Sequence, residues 1–416
     1  MSGTAPGPLT GLLVADFSRV VAGPYAAMLL GDLGADVVKV ERPGAGDDTR
    51  GFGPPFVEVP LGEGGHEPMS SYYLSINRNK RSVAWDLSSP EGRRRARALA
   101  ERADVVIENF KPGGAARLGL GYEELARLNP GLVYCSVSGF GTRGEGASLP
   151  GYDFLVQAVG GLMSITGDSG EEAEPRKVGV AVVDVLTALY ASNAIVAALY
   201  ERERSGRGQL VEVDLMSSTL ASLINQASTY LTTGRVPRAM GNRHPSIAPY
   251  ETLAAADRSF VVAVGNDGQF AALAAVVGKE WMAGDPRFSQ NAARVANRDE
   301  MVAELEQVLV TRPAAEWVEL LSRAGVPSGV VNDIGEAFAF AERVGLEPVV
   351  RLPWPGGAAE PWRAGRPEPG AQVASPMRLS RTPVSYRRAP PRVGEHSGEV
   401  ERLLDGDGEP GPSGGS

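Results

Sequence analysis

The chain has 416 residues, 43% hydrophobic and 22% charged, a soluble globular composition with material for two or three cores that argues against a single domain. A formal charge of −9 and a pI near 5.2 argue against a nucleic-acid partner held by broad phosphate neutralisation. A single cysteine, Cys135, excludes an intrachain disulfide framework, and the scattered His66, His244 and His396 lack the partners of a zinc site, so no metal is expected.

In chain order, "GLLVADFS" (11–18) is a short apolar run that predicts a strand. In "GPYAAMLLGDLG", Pro24 is placed to open a helix and Gly34 to close it. "ADVVKVE" predicts a second strand. Ser89, Pro90 and Glu91 read as cap, first position and first-turn acid of a helix that runs into the strand "DVVIENF". "YEELARLNP" and "LVYCSVSGF" repeat the helix-then-strand order. Strands alternating with helices predict an α/β fold with a mostly parallel, doubly wound sheet, whose ligands sit at the carboxyl ends of the strands. Gly139, Gly141 and Gly144 have the spacing of a dinucleotide loop, but Pro150 and further glycines follow instead of a helix, so no nicotinamide or flavin cofactor is expected.

Beyond "GQLVEVDLMSSTLASLINQASTYLTTG" the texture changes. Two extended runs flank an Ala-Asp-Arg turn, helical patterns follow at about 298–310 and 313–324, and "VPSGVVND" predicts another strand. These define a smaller α+β domain over 235–335. From about 345 the chain is rich in Pro, Gly and Arg and is expected to lie as extended coil over another surface, with a disordered tail over 406–416. No apolar run approaches the roughly 18 to 20 residues of a membrane helix, and "MSGTAPGPLT" lacks the pattern of a signal peptide, so a cytoplasmic location and no membrane partner are expected.

Asp184 is the only acid between Glu174 and Glu201, set in the apolar run "VVDVL". Helical apolar spacing starts after it at Val185, Leu186, Leu189 and Tyr190, which puts Asp184 where an N-cap would stand. Spacing alone favours this structural role over catalysis. Basic residues of the first 120 positions, Arg19, Lys39, Arg42, Lys111 and Arg117 among them, fall mostly in connections after strands, where a phosphorylated ligand could meet them.

Four stretches together, "VADFSRVVAGPYAAMLLGDLGADVVKVERPGAGDDTR", "NRNKRSVAWDLSSPEG", "ADVVIENFKPGGAARLGLGYEELARLNPGLVYCSVSGFG" and "LVQAVGGLMSITG", resemble the class III CoA-transferases, the superfamily that also holds the 2-methylacyl-CoA racemases. The resemblance runs from about Leu12 to Leu404. It implies a large Rossmann-like CoA-binding domain built from both chain ends (1–230 and the return segment 340–405), the small domain between them, and an interlocked homodimer. It implies an aspartate nucleophile at Asp184, and coenzyme A contacts at Arg19, Val21, Ala22, Arg42, Trp85, Ser88, Asn109, Phe110, Arg117, Pro150 and Tyr152. Asp153, Gly241 and His244 are the substrate-side candidates. CoA and acyl-CoA are then substrates, with a carboxylic acid as acceptor and no permanently bound cofactor.

Two departures narrow the expectation. Arg19 and Val21 stand where formyl-CoA transferases carry histidine and glutamine, and "GNRHPSIAPY" replaces their polyglycine loop, which argues against formyl-CoA and oxalate. The racemase branch needs a histidine directly before an acid, and the matching position reads Tyr152-Asp153. Transfer of CoA, with succinyl-CoA as a possible donor, is therefore favoured over racemisation or a non-catalytic CoA-binding role. At a helix amino terminus the Asp184 carboxylate is expected to stay ionised.

Overall fold

The computed structural model describes residues 6–61, 65–170, 172–352, 354, 368 and 370–405. The tail 406–416, expected to be disordered, lies outside them. Two compact units are present: Met1–Leu162 with Val178–Thr232 and Ala341–Ser416, and Met163–Lys177 with Thr233–Phe340.

In the first unit, Leu13–Asp16 (β1), Asp36–Glu41 (β2), Lys80–Ala84 (β3), Val105–Glu108 (β4), Val133–Ser138 (β5) and Leu210–Asp214 (β6) make one sheet in the order β3-β2-β1-β4-β5-β6. All five pairings are parallel. The chain winds outward from β1 to β3, then returns to the other side of β1 for β4, so a crevice opens above the carboxyl ends of β1 and β4. Strands such as "LVAD" and "VVIE" are apolar on both faces because helices cover both. Val14 turns to the face packed by Ala22–Asp32 (α1), while Ala15 turns to the face packed by Pro90–Arg102 (α2) through Ala96, Leu99 and Ala100.

The helix signals translate into local bonds. Ser89 Oγ accepts the Gly92 N–H at 2.9 Å at the start of α2. Gly34, with φ +111°, follows α1, and the Arg387 guanidinium donates to the carbonyls of Gly31, Gly34 and Ala35 there. The return segment is thus tied to the sheet unit, and further bonds join Ser385 N to Asp32 O (2.9 Å) and His396 N to Ser82 O (2.9 Å).

Two more helices matter for the site: Asp153–Val159 (α3) and Val182–Ser205 (α4). α4 buries Val183, Ala188, Ala191 and Ile195 in the same core as α1. Its 24 residues, with a mean hydropathy of 1.8 over its most apolar window, are long and apolar enough to cross a membrane by length and composition. That corrects the expectation that no such run exists. Asp184, Ser192 and Asn193 interrupt the run in the sequence, but the helix as a whole stays apolar.

In the second unit Tyr250–Ala254 (β7), Ser259–Ala263 (β8) and Ser328–Val330 (β9) form an antiparallel sheet ordered β9-β8-β7. Asp267–Val276 (α5), Arg298–Leu309 (α6) and Ala314–Arg323 (α7) enclose its core of Phe260, Phe270, Leu305 and Trp317. Met163–Lys177, expected within the first part of the large domain, belongs to this unit instead. Its backbone is the reason: Ser164 and Gly167 carbonyls accept from Ala239 N (3.1 Å) and Gly241 N (3.0 Å).

Candidate active site

Asp184 is the third residue of α4 and not its cap, a correction to the reading from apolar spacing. The N-cap position falls on Ala181, which has no side chain to bond the free amides. Asp153, in the first turn of α3, fills that role from another element. Its Oδ1 accepts from Val183 N at 2.8 Å and lies 3.4 Å from Asp184 N, while its Oδ2 accepts from Gln157 Nε2 at 2.7 Å. Gln157 Oε1 in turn holds Val178 N at 2.9 Å. No hydrogen bond from the described residues reaches the Asp184 carboxylate, which faces a cavity.

Burial, and then the charge of Asp153, push Asp184 up to about 7. The expectation of a carboxylate kept fully ionised is thereby corrected. A helix terminus contributes only about 0.3 to 1 kcal/mol to an anion, and an apolar surround with a second acid behind it outweighs that.

The cavity holds about 550 Å³ and lies at the carboxyl ends of β1, β4 and β5. Of the residues expected to touch coenzyme A, Arg19, Val21, Ala22, Asn109, Phe110, Arg117, Pro150 and Tyr152 line it together with Asp184. A second cavity of about 330 Å³ is lined by Arg42, Trp85 and Ser88 and shares Arg19 and Phe110 with the first. The eleven positions therefore converge on two adjoining spaces. Gly241 and His244 belong to the second unit, where His244 Nδ1 accepts from Ser246 N (3.1 Å) and its ring lies against Tyr250.

The wall residues differ in how free they are. Arg19 and Arg42 both pair with Asp48, at 3.0 and 2.6 Å, and their side chains are half exposed, so a stronger anion can recruit them. Asn109 is spent on the backbone of Arg19, accepting from its N–H (2.9 Å) and donating to its carbonyl (2.8 Å). Trp85 is 4% exposed and donates its indole N–H to Glu401 at 3.1 Å, so it offers apolar surface only. Gly160 must lack a side chain, because a Cβ there would come within 2.9 Å of Thr219.

Sequence reasoning missed Tyr72, Gln157 and Asp48. The Tyr72 phenol is raised by burial and then by the charges of Asp184 and Asp153, so it lies within their field. Nothing in "MSSYYLS" announces this, since the approach is made by a distant segment.

A model of CoA-transferase family III matches residues 9–397. The chain is 44% identical to a succinate–glutarate CoA-transferase of Agrobacterium fabrum, covering 96% of each protein. It is 38% identical to the human succinyl-CoA:glutarate CoA-transferase, over 94% of this chain and 85% of that one. The crystal structure of a CAIB/BAIF family protein from Brucella suis superposes with a TM-score of 0.83 at 40% identity, over 96% of this chain and all of that one. A match of this extent, on a parallel α/β sheet with a carboxylate-lined crevice, makes this chain a member of CoA-transferase family III and a CoA-transferase.

Proposed function

We propose that the enzyme moves coenzyme A from succinyl-CoA to a second dicarboxylic acid of glutarate type, with Asp184 as the covalent carrier. The observation that carries this is a carboxylate unpartnered within the described residues, set at a side-chain-capped helix start, in the cavity where the candidate CoA contacts converge. The named activities of the two relatives supply the acids.

The chemistry balances without a proton donor. The Asp184 carboxylate attacks the acyl carbonyl of the donor thioester, the C–S bond breaks, and a mixed anhydride and CoA thiolate result. The thiolate attacks the aspartyl carbonyl, the anhydride C–O bond breaks, and succinate leaves an aspartyl-CoA thioester behind. The acceptor carboxylate then attacks that thioester, giving a new anhydride and thiolate. Attack of the thiolate on the acceptor's acyl carbon yields the new acyl-CoA and restores Asp184. Anhydride and thioester both hydrolyse, so turnover requires that water be kept from the cavity, whose apolar lining beside Asp184 includes Val137, Leu149 and Leu215. Arg19, Arg42 and Arg117 hold the phosphates of CoA, while Trp85 and Phe110 give apolar surface; Gly241 and His244 are not needed for the relay.

The sheet unit is the Rossmann-like large domain, made of 1–162, 178–232 and the return segment from 341, with 163–177 and 233–340 as the small domain. We assign an interlocked homodimer to the exposed apolar side chains of α3 and α4: Phe154, Val159, Tyr190 and Tyr200, the last 67% exposed. Sedimentation should give twice the chain mass. Hydroxylamine added during turnover should convert Asp184 to a hydroxamate, read as a mass shift in its peptide. Turnover with that peptide unlabelled would refute the covalent route.

A further inference from the structure

The turn between β1 and α1 contains the backbone outlier Val20, with φ +68°. A β-branched residue in the left-handed region is disfavoured and persists only where the surroundings over-determine it. Those surroundings are charged and almost completely buried. Val20 N donates to Asp47 Oδ1 at 3.3 Å, and the same oxygen takes Thr49 N (2.9 Å) and Thr49 Oγ1 (2.7 Å). Asp47 Oδ2 stands 2.8 Å from Lys39 Nζ, and Lys39 Nζ donates to Ser18 O at 2.9 Å. Ser18 N and Oγ both donate to Asp16, whose other oxygen pairs with Lys80 at 3.1 Å. With Arg19 tied to Asn109 through both backbone groups, the N–H groups of three successive residues and the carbonyls of Ser18 and Arg19 are held by side chains from β1, β2, the residue after β4 and the Asp47 loop.

Space imposes the same arrangement. A Cβ on Gly23 would come within 2.3 Å of Ser18, so the first turn of α1 closes directly onto the strained turn. Lys39 and Lys80 are buried cations that do not line the Asp184 cavity, and well-packed apolar residues in place of buried ion pairs often cost a core nothing. Burial acts to neutralise Asp47, but Lys39 and the Thr49 donors overcome it and hold the carboxyl low, so the pair is charged. Val20, Val21 and Ala22 line the Asp184 cavity, while Ser18, Lys39 and Asp47 line the neighbouring one.

We infer that the Lys39–Asp47 pair and the strained Val20 form a positioning device, which fixes the turn so that the Val21–Ala22 backbone faces the reacting carbonyl at Asp184. Neither ion touches the acyl group. The inference rests on Asp184 being the carrier.

The test uses the full-length enzyme with Val20→Gly and Val20→Ala. Glycine accepts positive φ freely, so Val20→Gly releases the constraint without cutting a bond. It should lower kcat about tenfold or more, leave KM for acyl-CoA within about twofold, and leave Tm equal or higher. Val20→Ala trims the side chain as well but keeps a Cβ that disfavours positive φ, so it separates lost contact from lost constraint: its kcat should fall clearly less than that of Val20→Gly, and an equal fall in both would overturn the role of the constraint. Full kcat in Val20→Gly, or a loss that follows a fall in Tm, would overturn the positioning role. Asp184→Asn measured beside it separates the two claims: normal turnover there removes the carrier, whatever Val20→Gly does.

Discussion

The carboxylate of Asp153 accepts the backbone N–H of Val183 at 2.8 Å and sits 3.4 Å from the N–H of Asp184, so one acid caps the helix that carries another. The arrangement has two electrostatic consequences that oppose each other. The cap orders the first turn and thereby the Asp184 backbone, while its negative charge adds to burial in raising Asp184 to about 7.

Asp153→Asn should separate these effects. An amide oxygen still accepts the two N–H groups, the Gln157 Nε2 bond to the other oxygen is lost, and the neighbouring charge is gone. The acid limb of kcat/KM against pH, set by ionisation of Asp184, should move to lower pH while remaining above the ordinary aspartate value of 3.8, because burial persists. An unmoved limb would show that Asp153 exerts no field on the carrier.

Asp184→Asn should abolish exchange and change the pH dependence of stability. The folded-state value of about 7 lies above the ordinary 3.8, so ionising Asp184 opposes folding. This cost is absent below the ordinary value, grows as pH rises through the window, and is complete above about 7. The variant lacks it. The gain in Tm over the parent should therefore be larger at alkaline than at mildly acidic pH, as thermal melts across that range can check.

Arg42→Ala removes a half-exposed cation from the second cavity and releases Asp48 to Arg19 alone. A charge-assisted bond to phosphate is worth about 1.5 to 3 kcal/mol, so KM for acyl-CoA should rise by about tenfold or more with kcat nearly unchanged. The rise should shrink for a pantetheine thioester that lacks the nucleotide, which steady-state kinetics on both substrates would show.

Arg387→Ala tests the tie between the return segment and α1. The carbonyls of Gly31, Gly34 and Ala35 lose their shared donor; that of Gly31 keeps the Gly34 N–H at 3.0 Å, and a buried acceptor left unpaired costs about 1 to 3 kcal/mol. Denaturant melts should show that loss. Arg387 lines neither site cavity, so kcat of the folded variant should stay at the parent level.

The sheet and its flanking helices were legible because their signals are local. Ser89 and Pro90 start α2, Gly34 follows α1, and the apolar runs "LVAD", "VVKVE" and "VVIE" become parallel strands. The candidate site residues came only from long motifs, and then as positions without partners. Nothing local shows that Asn109 is used up on Arg19 or that Tyr72 comes within the field of Asp184, because those approaches span 90 and 112 residues of chain.

By itself, the sequence determined the alternation of strand and helix, the family, and the anomaly of an acid at position 184 in an apolar run, since each is written in neighbouring residues. Tertiary structure alone decided what that acid is. It moved the cap from Asp184 to Asp153, withdrew donors from the carboxylate and placed a second charge behind it. A pKa depends on everything within a few ångströms in space, and most of what lies there comes from distant parts of the chain.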